Sequence, residues 1–508
     1  MQEPDEQNMK LNVLMIGLDS ISHLCFQRKL PLTYRLLKDE LDAAVLENYN
    51  IVGDATTAAL IPILTGKTEM ELPEARTSVF ESGTVDAYPF IWNHFRDQGY
   101  VTLFAEDEPS ISTFNLRLNG FEIQPTDHYM RHFWLALWDS SLRSNSQKYC
   151  TGPTPHHHFL LQYLEDFFVE YHNVSKFAFG FHVEFTHSDN NPAQYIDADL
   201  ARFIRRLKNN NILDDTVLII MADHGARYSK VRSTVQGKLE ERLPMMSFVF
   251  PKKFQKRFPA LWKNLMDNRQ RLSTPFDVHE TLLDILNFSR ARTSHPAFSR
   301  GISLLQQIPV NRTCRSAAIL AHWCSCMQQI ALGTDEEFVR DAALTLTKHI
   351  NTLTAPHRHQ CAELHLTQID SAFLLIPNEQ VLKFRHSKDS DHRLANFSGT
   401  VDPDFVHQQL QIKTQPCGAL FEATIAVSFR TSEIVYSVTP GISRINKYGD
   451  QPACLRTSLP NLREFCCCNI FLKSYQANEK NHQSPMSHVK SEHSPLAMKS
   501  RSPQRNKH

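Results

Sequence analysis

The chain reads as an α/β fold, with a predominantly parallel sheet sandwiched by helices and a smaller Cys-rich α+β region behind it. Three observations predict this. Apolar runs alternate with helical stretches from about residue 11 to 290, which is the pattern of parallel strands joined by crossover helices on both faces. Two of those runs end directly in candidate ligands: Val13 to Leu18 runs into Asp19-Ser20, and Val217 to Met221 runs into Ala222-Asp223-His224-Gly225. Nine of the 11 cysteines fall between Cys314 and Cys468, a density that fits disulfides made in an oxidising compartment.

Taken in order, the apolar runs predict strands at 12–18, 43–49, 100–105, 176–183, 216–222 and 246–250. Helices are expected at 30–40, 56–65, 87–98, 157–171, 195–208 and 276–286. Together they make one α/β domain over 11–297. The stretch 298–310, which includes Ser299, Gly301 and Pro309, reads as a linker. A Cys-rich region follows over 311–472. It is helical near 336–353 and shows strand-like alternation beyond 365, as in Leu420-Phe421-Glu422-Ala423-Thr424-Ile425. Its disulfide pairing is not readable from spacing. The tail, 473–508, carries seven Lys/Arg against two Glu and no apolar periodicity, so it is expected to be disordered.

Lys+Arg and Asp+Glu both number 54. A zero formal charge argues against a dedicated nucleic-acid binder. No run reaches the ~18 apolar residues that a membrane-spanning helix needs, so no transmembrane segment is expected in this chain. The start, Met1-Gln2-Glu3-Pro4-Asp5, is acidic and lacks a leader pattern, which by itself reads as cytosolic. Sequons at Asn173, Asn287, Asn311 and Asn396 and the Cys-dense second half point the other way. The expectation is an extracellular or secretory-pathway glycoprotein whose leader is missing from this chain, with a cytoplasmic protein as the alternative.

In an open α/β sheet, ligands gather beyond the carboxyl ends of parallel strands. Asp19 at one strand end and Asp223-His224 at another supply oxygen and nitrogen ligands for one divalent cation, zinc or manganese. The stretch Gly53-Asp54-Ala55-Thr56 enters a helix. Thr56 would then sit at the positive end of the helix dipole, beside free N–H groups suited to a phosphate or sulfate oxygen. A metal-bound hydroxyl there is a nucleophile; the plain alternative is a helix N-cap. Glu184 and His187, after the strand at 176–183, are candidates for a second cation, as is His279 near a helix start. His156-His157-His158 is read as a solvated turn. Gly66-Lys67-Thr68 is not a phosphate-binding loop, because Ile61 stands where that loop needs glycine.

The ordered motifs resemble a family. They run Gly-Leu-Asp-Ser at 17–20, Gly-Asp-x-Thr at 53–56 before a helix ending Leu-Thr-Gly, Phe-Ala-Glu-Asp-Glu-Pro at 104–109, and Asp-His-Gly at 223–225. Leu-Glu-Glu-Arg-Leu-Pro at 239–244 and Thr-Pro-Phe-Asp-x-His at 274–279 follow. This order is similar to the alkaline-phosphatase-like superfamily, and within it to the sulfatase-related family of unknown function expanded in nematodes. The resemblance covers about 11–475, including Trp-Cys-Ser-Cys at 323–326 and the segment 442–450. It implies an alkaline-phosphatase/sulfatase-like sheet and a metal-dependent hydrolase or transferase of phosphate or sulfate esters. The substrate would be a phosphorylated or sulfated small molecule, lipid or glycan. Asp19, Asp223 and His224 match the metal ligands, and Thr56 matches the nucleophile, itself a ligand. Glu184, His187 and His279 fall where a second site is expected.

Two departures bear on activity. Where relatives in the resembled superfamily often carry an aromatic-Pro-Asn stretch whose Asn can donate to the transferred group, this chain has Thr57-Ala58-Ala59. Losing one such donor costs roughly 3–4 kcal/mol of transition-state stabilisation. No Cys-x-Pro-x-Arg stands near Thr56, so phosphate esters are favoured over sulfate esters. The alternative is a catalytically weak or inactive extracellular binding protein on the same fold.

Overall fold

The computed structural model describes residues 9–77, 79–288, 290, 299–377, 405–428, 434–455 and 458–472. The tail 473–508 and the sequon at Asn396 lie outside the described residues. The main sheet has seven strands: β1 Asn12–Leu18, β2 Ala44–Val45, β3 Val101–Glu106, β4 His128–Tyr129, β5 Lys176–His182, β6 Thr216–Ala222 and β7 Met246–Val249. Their order across the sheet is β2-β7-β6-β1-β5-β3-β4. β1 lies between β5 and β6, parallel to both, and β3 pairs parallel with β5 and β4. β7 is the antiparallel member, paired with both β6 and β2.

Five helices place the site: α1 Ala55–Thr65, α2 Ile91–Asp97, α3 His156–Glu170, α4 Asp197–Asn209 and α5 Val235–Arg242. A sixth, α6 Pro275–Leu286, closes the domain. Because side chains alternate across a strand, β1 and β6 divide their residues between two apolar layers. Val13, Met15, Val217, Ile219 and Met221 pack under α1, α2 and α6. Leu14, Ile16, Leu18, Leu218 and Ile220 pack under α3 and α4. Strands buried on both faces read as continuous apolar runs, which is why β1 and β6 were visible in the sequence. The expected strand at 43–49 shortens to two residues, and α5 was not anticipated.

The stretch expected as a linker is packed from 299 onward. Leu304, Leu305 and Ile308 are fully buried in the core under α6. The Ile302 N–H donates to Asp277 Oδ1 (2.7 Å), and the Leu304 N–H donates to the Thr281 hydroxyl (2.8 Å). Beyond it, β8 Met327–Ala331, β9 His365–Pro377, β10 Phe405–Gln415, β11 Ala419–Ser428 and β12 Val435–Arg444 form an antiparallel sheet in that order. Helix α7, Glu337–Thr354, buries Val339, Ala342, Leu346 and Ile350 against it. Eight cysteines pair as Cys314–Cys324, Cys361–Cys466, Cys417–Cys467 and Cys454–Cys468. Among the described residues no helix is long and apolar enough to cross a membrane.

Candidate metal centre and nucleophile

The register explains why the candidate ligands meet. Leu18 pairs with both His182 and Ala222, so Asp19 and Asp223 leave the sheet side by side. Two-residue periodicity puts both on the face covered by α1, whose second residue is Thr56. Asp19, Asp223 and His224 are buried, and one ligand atom from each lies within 4.8 Å of the others.

Each side chain is held by short bonds. Asp223 Oδ1 accepts from the backbone N–H groups of Ser20 (2.9 Å) and His224 (2.8 Å). Asp19 Oδ1 accepts from the Ser20 hydroxyl (3.1 Å). His224 Nδ1 lies 2.8 Å from the Gly225 carbonyl, which only accepts. The proton therefore sits on Nδ1, and the Nε2 lone pair faces the carboxylates. Nε2 is 3.3 Å from Asp223 Oδ2 and 3.9 Å from Asp19 Oδ1. The Thr56 hydroxyl lies 3.5 Å from both Asp19 Oδ1 and His224 Nε2.

The second oxygens, Asp19 Oδ2 and Asp223 Oδ2, are buried with no hydrogen-bond partner. Burial, reinforced by the neighbouring Asp223 charge, pushes the Asp19 carboxyl well above its ordinary range. Two desolvated carboxylates and an outward-facing imidazole lone pair are costly without a positive partner. A divalent cation satisfies all three, so the residues present fit the group.

The local backbone is strained where the chemistry sits. Ser20 has φ 61° and Ala55 has φ 69°. A left-handed conformation costs a non-glycine residue roughly 1–2 kcal/mol, and such strain collects at functional sites. Asp54 occupies the N-cap position of α1 without capping it. Its carboxylate instead takes the Arg227 guanidinium at 2.8 Å, leaving first-turn N–H groups for an anion. Gly225 is required by close approach rather than by its dihedrals: a Cβ there would lie 2.1 Å from the Glu240 carbonyl oxygen.

The other candidates are placed differently. Burial, with smaller contributions from His224 and Arg227, pushes the His187 ring down to about 4, and Asn190 of the same loop donates to the Ser20 carbonyl next to Asp19. Glu184 is taken by His156 Nδ1 (2.8 Å), with Arg143 at 3.8 Å. His279 lies against Gly66 and bonds the Ile63 carbonyl (3.0 Å), about 10 Å along α1 from Thr56 at 1.5 Å per residue. The structure thus gathers Asp19, Thr56, Asp223 and His224 and gives Glu184 and His279 other partners.

The His156–His158 run is not a solvated turn. His156 and His157 are buried, and His157 and His158 both reach Asp199 of α4 (2.7 and 2.9 Å). A buried contact between Asp107 and His182, at the ends of β3 and β5, also escaped the sequence reading. Asp107 follows an apolar strand, so the strand-end rule that found Asp19 applies to it equally.

Some motif residues prove to be architectural. Asp277 closes a capping box at the start of α6 and pairs with Arg312 at 2.6 Å. Glu240 accepts from Ser22 (2.7 Å) and Arg28 (2.7 Å).

No curated protein is similar to the chain by sequence. Among solved structures, phosphonate monoester hydrolase from Silicibacter pomeroyi is similar at 14% identity, over 93% of this chain and 96% of that one, with a TM-score of 0.41. A protein in the alkaline phosphatase superfamily from Vibrio parahaemolyticus is 14% identical over 93% and 88%, with a TM-score of 0.38. The integral membrane protein lipooligosaccharide phosphoethanolamine transferase A from Neisseria meningitidis is 12% identical over 56% of each chain, with a TM-score of 0.39. The fold rests on the strand order above and not on these likenesses. In keeping with its ordered motifs, the chain belongs to the family described as protein of unknown function (DUF229), whose model matches residues 1–370.

Proposed function

We propose that the protein is a metal-dependent hydrolase or transferase of phosphate esters, with Thr56 as its nucleophile. The observation that carries this is the buried Asp19, Asp223 and His224 cluster with the Thr56 hydroxyl 3.5 Å from two of its atoms. Asp19, Asp223 and His224 would hold a zinc or manganese ion, and Thr56 would join them. Such an ion acidifies a bound hydroxyl and withdraws charge from a phosphoryl oxygen.

The chain's own groups do the rest. The N-terminus of α1 presents Thr56 among unclaimed N–H groups that receive a phosphoryl oxygen. The Gly225 carbonyl accepts from His224 Nδ1–H, which turns Nε2 toward the cluster. The Thr56 hydroxyl gives up its proton and its oxygen bonds to phosphorus, the P–O bond to the ester oxygen breaks, and that leaving oxygen takes up a proton. Water or another alcohol then displaces the threonine oxygen, giving hydrolysis or transfer. His187 and the Arg227–Asp54 pair line the approach. A complete second cation site is not part of the proposal, because Glu184 is already held by His156. The substrates suited to this centre are phosphorylated small molecules, lipids or glycans.

The test is hydrolysis of aryl phosphate mono- and diesters by the metal-loaded protein. Thr56→Ala is expected to lower kcat by ~10³-fold or more. Equal rates for variant and parent would remove Thr56 as nucleophile. A protein that binds metal but turns over no ester would favour the binding-protein reading.

We also infer a secretory-pathway location, supported by four disulfides and by exposed sequon asparagines at 173, 287 and 311. Protein secreted from eukaryotic cells should lose mass on endoglycosidase treatment, and an unchanged mass would count against it.

A further inference from the structure

The Cys-rich region meets the loop that flanks the metal centre: Lys447 donates to the Ser188 carbonyl, and Asn190 of that loop donates to the Ser20 carbonyl beside Asp19. We propose that Lys447 and Tyr448 form a subsite at the mouth of that centre, which receives a second anionic group carried on the leaving alcohol of the ester. This rests on the phosphoester reading above.

The geometry forms a continuous path. Asp54, two residues before Thr56, binds Arg227 at 2.8 Å. The Arg227 guanidinium stands 5.0 Å from the centroid of the Tyr228 ring. Tyr228 meets Tyr448 edge to face at 6.0 Å. Beside Tyr448, the Lys447 ammonium donates to the Ser188 carbonyl at 2.8 Å, one residue from His187. Lys447 thereby stands on the loop that flanks the centre although it lies on the other region of the chain.

Arg227 is matched by Asp54. Arg444 stacks 5.4 Å from the Tyr448 ring and spends its donors on Asn446 (2.6 Å), Gln451 (2.9 Å) and the Glu464 carbonyl (3.1 Å). Burial, reinforced by Asp54, pushes the Glu464 carboxyl up. Among the described residues no carboxylate lies within ion-pair distance of Lys447. One backbone acceptor leaves an ammonium two further N–H groups. An exposed lysine is ordinarily just solvated; this one is tethered, and its anchor is the loop that carries His187.

The presentation is rigid. Asn446 accepts from Leu420 N–H (3.0 Å) and donates to the Gly418 carbonyl (2.9 Å). Gln451 donates to the Cys417 carbonyl (3.1 Å), and its own carbonyl accepts from Cys468 N–H (2.9 Å). Cys417 and Cys468 are both in disulfides. The segment is therefore held from both sides by cross-linked backbone.

The experiment compares phenylphosphonate with 4-carboxyphenylphosphonate by calorimetry on the full-length, metal-loaded protein. In the parent, the carboxylate-bearing ligand should bind roughly tenfold more tightly, as for a charge-assisted hydrogen bond. In Lys447→Ala the ratio of the two affinities should fall toward one, while Lys447→Arg should keep most of it. Equal affinities in the parent, or a ratio that survives Lys447→Ala, would overturn the subsite and leave the metal centre standing. Failure of both ligands to bind the parent would overturn the subsite together with the phosphoester reading. Loss of both in Asp223→Asn, with binding in the parent, assigns the anchoring group to the metal centre.

Discussion

At the scale of single residues, the protein keeps several ionisable groups out of water, and each has a visible reason. Asp19 and Asp223 converge because the registers of β1 and β6 end together. Glu106, at the end of β3, is instead held by hydrogen bonds within the fold. It accepts from the Thr113 backbone (2.8 Å) and hydroxyl (2.7 Å), and burial still pushes it up to about 8. A carboxyl raised in the folded state stabilises the fold fully below its ordinary value of 4.5. That contribution is lost as pH rises toward about 8. Glu106→Gln keeps a neutral acceptor in place. We expect it to flatten the loss of stability between pH 4.5 and 8, read from urea midpoints across that range. An unchanged slope would mean that Glu106 titrates normally.

At the scale of elements, α5 is the most informative. Its sequence, Val-Gln-Gly-Lys-Leu-Glu-Glu-Arg, looks like a surface helix, yet Lys238, Glu241 and Arg242 are buried against the second sheet. Arg242 donates to the His322 carbonyl (2.7 Å) and to Glu422 of β11 (2.9 Å), and Arg232 reaches Glu422 at 3.1 Å. The surrounding cations hold Glu422 well below the usual carboxylate range, against its burial. Removing one partner of a buried ionic cluster leaves the others uncompensated, at a cost of roughly 3–5 kcal/mol. Glu422→Gln should therefore loosen the second sheet from α5. Limited proteolysis should cut between the two regions faster than in the parent, and equal cutting rates would show that the cluster does not hold them. Sequence periodicity missed α5 because its buried groups are charged, and their partners lie about two hundred residues away.

At the scale of the whole molecule, the sheet was legible where burial on both faces makes a strand uniformly apolar. Edge pairs such as Ala44–Val45 and His128–Tyr129 were too short to leave a pattern. Asp19, Thr56, Asp223 and His224 were legible because each follows an apolar run or enters a buried helix. Glu184 and His279 share the chemistry of ligands but not the position, since their partners, His156 and the Ile63 carbonyl, are fixed only by tertiary packing. The contacts of Lys447 with Ser188 and of Tyr448 with Tyr228 were hidden for the same reason. Fold and centre thus depend on one alignment, two strand ends that deliver two carboxylates to one point. The most direct test is elemental analysis of purified protein after dialysis, comparing the parent with Asp19→Asn and Asp223→Asn. One zinc or manganese per chain in the parent, absent from both variants, is the expected result. A parent without metal, or variants that retain it, would contradict the account.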